Sequence, residues 1–188
     1  MSIVGTLLKN RRAGESGLAW NLPALAGPET LQLSSPAFAD GAPIPAEHAG
    51  RRVGGREVSP PLSWSTAPDG TAELLLVIED IDAPMGKPFV HLLAVIDRTV
   101  PSLDAGALSQ AVTPGGVHPF RSTMGRGYVG PAPIGGHGPH HYVFQLFALA
   151  APAVPDPDAP ANARPRAVLA QVHGPVLARG RLTGIYQR

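Results

Sequence analysis

The sequence contains no cysteine, which excludes disulfide bonds, zinc–thiolate centres and thiol nucleophiles. Charge is also scarce, because charged residues make up 15% of the chain and the net charge is +1. Basic residues are grouped only at Lys9–Arg12 and Arg51–Arg52, so the electrostatic surface that a nucleic-acid partner needs is missing. No apolar run approaches the roughly 18 residues of a membrane-spanning helix.

The first residues, MSIVGTLLKNRR, place their basic side chains after a short apolar run. A secretory signal has the opposite order and a longer apolar core. Together with the lack of cysteine, this order leads us to expect a soluble, cytoplasmic protein.

The composition that is present is that of a globular protein. The chain has 188 residues, of which 44% are apolar, enough for one domain with a sizeable core. Gly and Pro number 22 each, which predicts many turns and long ordered loops. Residues 1–28 are predicted to form an N-terminal extension, a short helix or arm packed on the surface or on a partner subunit. Residues 29–188 are predicted to form the domain.

Several segments have the pattern of β-strands. Residues 31–35 alternate with period two, residues 58–65 are extended by their prolines, and APDG at 67–70 predicts a turn. Two apolar runs, 73–79 and 89–96, predict buried strands, and YVFQLFAL at 142–149 predicts a third.

The remaining segments are less regular. Residues 101–140 are predicted to be a long loop, and residues 151–165 a proline-rich connection. Apolar positions 168, 169, 172, 176 and 177 form a helical stripe that predicts a helix over 166–179, kinked or split at Gly174-Pro175. LTGIYQR at 182–188 predicts a last short strand.

Two stretches carry polar groups that suggest chemistry. The first is Asp80-Ile81-Asp82-Ala83-Pro84, which follows one buried strand, with His91 inside the next. The second is GYVGPAPIGGHGPHHYVF at 127–144, which delivers His140, His141 and Tyr142 to the start of a strand. Backbone N–H groups in such a loop can surround an anion, and histidines add further donors. Nearby carboxylates would orient those histidines or meet a cationic end of the ligand.

Each of these features also has a purely structural interpretation. A histidine inside an apolar strand is often a hydrogen-bonded core residue, and Asp-x-Asp after a strand is often a turn. Spacing along the chain does not show that the two stretches meet in space.

The motifs resemble those of the phosphatidylethanolamine-binding protein family, in particular its bacterial Raf-kinase-inhibitor-like branch. The family pattern Asp-Pro-Asp-Ala-Pro followed by a strand histidine is similar to residues 80–84 with His91. The family's Gly-Tyr-x-Gly-Pro-x-Pro loop, followed by His-Arg-Tyr, is similar to residues 127–133 with 140–142. SPPLSW at 59–64 and LTGIY at 182–186 resemble the family at the corresponding places.

The resemblance implies a fold and a site that the residues alone do not give. The fold is mainly β, with a large antiparallel Greek-key sheet, a smaller sheet and a C-terminal helix. The site is a small pocket for phosphate, acetate or a phospholipid headgroup. Its implied lining is Asp80, Pro84, His91 and His140, with Asp82, Ala132, Pro133 and Tyr142 at or beside it. No catalytic residue, metal or cofactor is implied.

This sequence departs from the family pattern at four positions around the implied pocket. Ile81 replaces a proline, Leu92 an aromatic residue, Ile134 a proline, and His141 an arginine. The aspartates and histidines of the motif remain, so we expect the pocket to persist with an altered rim.

The sequence favours a non-enzymatic binding protein that recognises a small anion, with a kinase or protease as the expected protein partner. An alternative is a metal-assisted hydrolase that uses the Asp and His side chains, although no metal-binding motif supports it. A further alternative is an oligomeric interaction protein with a degenerate pocket. Bacterial members of the family suggest a homodimer, with the N-terminal arm across its interface.

Overall fold

The computed structural model describes residues 3–109, 115–153 and 163–188. Eight strands dominate these ranges. They are β1 (Leu33–Ser34), β2 (Leu62–Trp64), β3 (Glu73–Asp80), β4 (Phe89–Asp97), β5 (Ser102–Leu103), β6 (Val117–Pro119), β7 (His140–Leu149) and β8 (Val176–Tyr186). The α-helices in the same ranges are α1 (Ile3–Leu8) and α2 (Pro165–Leu169). Neither is long and apolar enough to cross a membrane, and the described ranges contain no other helix that is.

The strands form two antiparallel sheets, as the predicted fold class requires. The larger sheet has the order β6-β4-β3-β7-β8, and the smaller has the order β1-β2-β5. Strands β3, β4, β6 and β7, in chain order, lie side by side as β7-β3-β4-β6, which is the Greek-key arrangement. The prediction of a mainly β protein with a large Greek-key sheet and a smaller sheet is confirmed.

The apolar runs of the central strands are continuous because both faces of the large sheet are covered. Leu74, Leu76 and Ile78 of β3 point into a core shared with the small sheet. Leu75 and Val77, which alternate with them, point into a second core on the opposite face. A strand with both faces buried needs no polar positions, which explains the sequence LLLVI at 74–78.

The second core is built partly from the N-terminal segment. Leu18, Trp20 and Leu25 are buried there together with Phe147 and Leu169. The inner part of residues 1–28 therefore packs on the sheet of its own chain. Whether residue 28 is a domain boundary stays a prediction, and so does the homodimer.

Two buried polar side chains of the sheet hold this N-terminal segment in place. Glu79 accepts a hydrogen bond from the backbone N–H of Ala19 at 2.7 Å, and Gln145 accepts one from Trp20 at 2.7 Å. Glu79 also forms an ion pair with Arg166 of α2. Burial raises the pKa of Glu79, although Arg166 and the hydrogen bonds from Ala19 and Gln145 oppose the rise. Glu79 thus binds both segments that cover this face of the sheet, the N-terminal segment and helix α2.

The helix predicted over 166–179 is wrong in its second half. Helix α2 ends at Leu169, and residues 176–186 form β8, which pairs with β7 along its whole length. Gly174 has a φ of 91°, through which a helix cannot continue, and Pro175 follows it. Val176 and Leu177 continue the helical stripe, whereas Val176 and Ala178 are buried with the period of two of a strand, and pairing with β7 decides between them.

The long loop predicted over 101–140 is also partly wrong, because it contains the short strands β5 and β6. Residues 110–114 of this loop lie outside the described residues. The same is true of residues 154–162 in the predicted proline-rich connection.

Candidate functional site

The candidate site lies at one end of the large sheet, where β3 ends and β4 and β7 begin. Asp80, the last residue of β3, is opposite Phe89 of β4 and Tyr142 of β7. Because antiparallel neighbours begin where the central strand ends, this pairing brings the two polar stretches of the sequence together. The structure therefore places Asp80, Asp82, His91, His140 and Tyr142 in one region.

The turn after β3 is held by its first aspartate. Oδ1 of Asp80 accepts a hydrogen bond from the backbone N–H of Asp82 at 2.8 Å. This is the turn function that Asp-x-Asp commonly has. The other oxygen, Oδ2, faces Nδ1 of His140 at 2.7 Å, so Asp80 holds the turn and orients a histidine at once.

His91 is the extra residue of a β-bulge. The register between β3 and β4 pairs Ile78 with Leu92 and then Glu79 with Val90, which leaves His91 without a partner in β3. Bulges redirect a side chain and are frequent next to functional sites. The bulge thus explains how a histidine can stand inside an apolar strand.

The hydrogen bond of His91 fixes which ring nitrogen carries a proton. Nδ1 of His91 lies 2.6 Å from the carbonyl oxygen of Val129. A carbonyl oxygen only accepts, so Nδ1 must donate, and Nε2 of the neutral ring is an acceptor. Burial lowers the pKa of His91, although Asp80 and the bond to Val129 oppose this. We therefore treat His91 as neutral at neutral pH.

A chain of hydrogen bonds runs from Asp80 through two histidines to the N-terminal segment. Nδ1 of His140 faces Asp80, and Nε2 of His140 lies 2.7 Å from Nδ1 of His137. Nε2 of His137 lies 2.8 Å from the carbonyl oxygen of Leu8 and must donate to it. Three bonds need three protons, whereas two neutral imidazoles supply two. A fully bonded chain therefore holds one additional proton, most simply as an imidazolium beside the Asp80 carboxylate.

His137 is the member of this chain that sequence analysis missed. It is 1% exposed and lies in the glycine-rich loop before β7. Its neighbours Gly136 and Gly138 have φ angles of 83° and 104°, which turn the loop back so that the ring reaches His140. The spacing His-x-x-His between 137 and 140 was the available signal.

Asp82, the second aspartate of the turn, contacts two basic side chains. Asp82 accepts hydrogen bonds from the backbone N–H of His141 at 2.7 Å and from its Nδ1 at 2.6 Å. Arg12 forms an ion pair with its other oxygen. Burial alone would raise the pKa of Asp82, but the bonds from His141 and Arg12 outweigh it, so the pKa is lowered. Asp82 is therefore an ionised anchor for the rim of the site.

Tyr142 contributes a buried hydroxyl to the site. Its ring is edge-on to His91, with centroids 5.0 Å apart, and stacked on His140 at 6.5 Å. Within the described residues its hydroxyl has no hydrogen-bond partner, although the side chain is 1% exposed. Burial and the charge of Asp80 raise the pKa of Tyr142 far above the ordinary value, so the hydroxyl keeps its proton. In the part of the chain that the structure describes, it is therefore a donor without an acceptor.

A cleft of about 1380 Å³ adjoins the site. Its walls include Arg51, Arg52, Glu57 and a glycine-rich stretch of the loop that precedes β7. Val129, which binds His91, is shared between the cleft and the site. Asp80, His91 and His140 are not among the residues that line the cleft.

The other predicted site residues lie at the edges of this arrangement. Ala132 and Pro133 line the cleft, and Pro84 is half-buried on the turn after Asp82. Among the departures from the family pattern, Leu92 is fully buried in the core, and Ile134 lines the cleft.

Most histidine nitrogens and carboxylate oxygens of the site already form hydrogen bonds or ion pairs within the protein. Both ring nitrogens of His137 and of His140 are used, and so are both oxygens of Asp80 and of Asp82. The described part of the chain has no group of three or more acidic or histidine side chains arranged to hold a metal ion. The donor set therefore suits hydrogen bonding to a polar ligand better than metal ligation.

Comparison with known proteins identifies the family. The sequence model of the phosphatidylethanolamine-binding protein (PEBP) family matches residues 34–187. The chain therefore belongs to the phosphatidylethanolamine-binding protein family. Both sheets and all the elements of the candidate site except Arg12 and Leu8 lie within the matched range or border it.

Several bacterial relatives share most of the chain. A UPF0098 protein of Mycobacterium tuberculosis is 38% identical over 173 residues, which are 92% of this chain and 78% of that protein. A UPF0098 protein of Aquifex aeolicus is 32% identical over 167 residues, 87% of this chain and 92% of that protein. A match over 92% of the chain must include part of residues 1–28.

Solved structures agree with the fold. The crystal structure of E. coli YbcL, described as a new member of the mammalian PEBP family, superposes with a TM-score of 0.74 at 28% identity. The match covers 84% of this chain and 98% of YbcL.

Proposed function

We propose that the protein is a non-enzymatic binding protein whose site at Asp80, His91, His140 and Tyr142 recognises a small phosphate-bearing ligand. The observation that carries the proposal is the buried Tyr142 hydroxyl, which has no partner among the described residues. Leaving a buried donor unpaired costs about 1–3 kcal/mol, a cost that a ligand oxygen removes. Membership of the PEBP family supports the same kind of ligand.

The available atoms indicate which form of anion fits best. The Tyr142 hydroxyl offers a proton, whereas Nε2 of neutral His91 offers a lone pair. A ligand that both accepts and donates satisfies the two groups together. A phosphate group with one protonated oxygen does so, and so does a phosphate whose ammonium substituent reaches His91. Phosphoethanolamine and inorganic phosphate therefore share the required chemistry.

No side chain of the site is arranged for covalent catalysis. The site contains no serine, threonine or lysine among its hydrogen-bonded members, and the carboxylates already accept bonds from histidine, arginine or backbone. This arrangement supports binding over turnover.

Calorimetric titration tests the proposal directly. Inorganic phosphate and phosphoethanolamine are titrated at neutral pH into the wild type, His91→Ala, and His173→Ala as a matched control on the surface. We expect saturable binding to the wild type and the control, weakened at least about tenfold in His91→Ala. The absence of saturable heat with both ligands, or equal affinity in His91→Ala, would contradict the proposal. Tighter binding of phosphoethanolamine than of phosphate would identify a headgroup site.

A further inference from the structure

The segment from residue 5 to residue 14, called here the N-terminal strap, crosses the candidate site. At one end it contacts the turn after β3: Ala13 N–H donates to the carbonyl oxygen of Ala83 at 3.0 Å, and Gly14 N–H donates to that of Ile81 at 2.8 Å. At the same end Arg12 forms an ion pair with Asp82. The strap is thus anchored on one of the two polar stretches of the site.

The strap is also anchored on the histidine loop. Arg12 donates to the carbonyl oxygen of Pro139 at 2.9 Å and to that of His137 at 3.3 Å. Leu8 accepts from the ring of His137. Gly5 approaches the loop so closely that a Cβ on it would stand 2.2 Å from the carbonyl oxygen of Gly135. Only glycine fits at this contact.

These contacts hold His137 where a ligand would otherwise be bound. Nε2 of His140 is the ring nitrogen that does not face Asp80, and it is hydrogen-bonded to Nδ1 of His137. An anionic oxygen would bind to the same N–H. His137 and a ligand at His140 therefore exclude each other.

The strap buries few apolar side chains, so little hydrophobic stabilisation keeps it in place over the site. Gly5 is the one buried residue of α1, whereas Leu7 of the strap is 79% exposed. Segments with few buried apolar contacts open at low free-energy cost. The contacts described above that hold the strap are mostly polar, and they include those of Arg12 and His137.

We propose that His137, held by the N-terminal strap, is an internal competitor that occupies the ligand position at His140 and sets the affinity of the site. The inference rests on the proposed function, since it assumes that a phosphate-bearing ligand binds beside His140. When the site is open for only a fraction of the time, the apparent affinity falls by that fraction.

Three variants weaken or remove the cap, which is His137 held over His140 by the strap, in different ways. His137→Ala removes the competitor, Gly5→Ala forces the strap away from Gly135, and Arg12→Ala removes the anchor at Asp82. Arg11→Ala is the matched control, because it removes the same charge from the strap without a side-chain contact to the site in the described residues. Loss of positive charge alone would weaken anion binding, so tighter binding in Arg12→Ala cannot be a charge effect.

Phosphate titration of these proteins gives the first test. We expect Arg12→Ala, Gly5→Ala and His137→Ala to bind inorganic phosphate at least about fivefold more tightly than the wild type, and Arg11→Ala no more tightly. Weaker binding in His137→Ala would identify His137 as a ligand contact and would overturn the proposal. Unchanged affinity in Arg12→Ala and Gly5→Ala would overturn it as well.

Acylation of histidine by diethyl pyrocarbonate, read by peptide mass spectrometry, tests the cap without any ligand. It measures how accessible the ring of His140 is. The exposed His173 is the internal reference. We expect His140 to be protected in the wild type and in Arg11→Ala, and to react several-fold faster in Arg12→Ala and Gly5→Ala. Equal rates in all four proteins would show that the strap does not cap the site. If no variant binds phosphate but the rates differ as expected, the proposed function fails while the cap stands.

Discussion

Replacing Tyr142 with phenylalanine removes one buried oxygen and nothing else. The Tyr142 hydroxyl is buried and has no hydrogen-bond partner among the described residues, which costs the folded protein about 1–3 kcal/mol. After allowance for lost packing around the oxygen, we expect Tyr142→Phe to raise the free energy of unfolding by about 1 kcal/mol. For a chain of this length, that corresponds to an increase in Tm of about 2–4 °C.

The same substitution has the opposite effect on ligand binding. A hydrogen bond to a charged acceptor contributes about 1.5–3 kcal/mol, so we expect phosphate affinity to fall by about 10-fold to 150-fold. Higher stability combined with weaker binding would show that the Tyr142 hydroxyl binds ligand and does not stabilise the fold.

Tyr128→Phe is the matched control for this experiment. Tyr128 is similarly buried, but its hydroxyl donates to the carbonyl oxygen of His48 at 3.0 Å. Its removal should lower the free energy of unfolding by about 1 kcal/mol and leave phosphate affinity unchanged. Urea denaturation in phosphate-free buffer and calorimetry provide the two readouts. If Tyr142→Phe destabilises the ligand-free protein as Tyr128→Phe does, the reasoning is refuted.

Three other predictions follow from the structure. Phosphate should bind about tenfold or more tightly than sulfate in competition calorimetry, since sulfate brings no proton to Nε2 of neutral His91; equal affinities would contradict that tautomer. Arg166→Ala should lower the free energy of unfolding by about 3–5 kcal/mol by leaving Glu79 buried and unpaired. Because the pKa of Glu79 is raised, the folded state holds its proton more tightly, so this loss should be larger in urea denaturation at about pH 7 than at about pH 5. Gly174→Ala should lower the free energy of unfolding by about 1–2 kcal/mol, because φ is 91° there, and no change would be evidence against that turn.

The central strands were predictable because the physics that forms them is local. Strands β3, β4 and β7 are buried on both faces, so each has a continuous apolar run that is visible in the sequence. Residues 176–179 were predicted as helix because Val176 and Leu177 continue the apolar stripe of positions 168, 169 and 172. Only the pairing with β7, which the sequence does not contain, selects the strand.

The candidate site was predictable in its residue types but not in its connections. The register that places Asp80 opposite Tyr142, and the bulge that frees His91, are tertiary properties that no local pattern specifies. His137 was missed because the spacing His-x-x-His does not show that the glycine-rich loop turns its ring back onto His140. The contribution of Leu18 and Trp20 to the core was missed because short 3₁₀ turns leave no helical stripe.

The site's role in binding is tested most directly by histidine side-chain ¹H–¹⁵N spectra recorded during a phosphate titration. In the free protein, we expect His91 to be protonated at Nδ1 and unprotonated at Nε2, because Nδ1 donates to Val129. Added phosphate should shift Nε2 of His91 saturably and leave the exposed His173 unchanged. An Nε2 signal of His91 that does not move at any phosphate concentration would contradict a binding site at the end of the sheet.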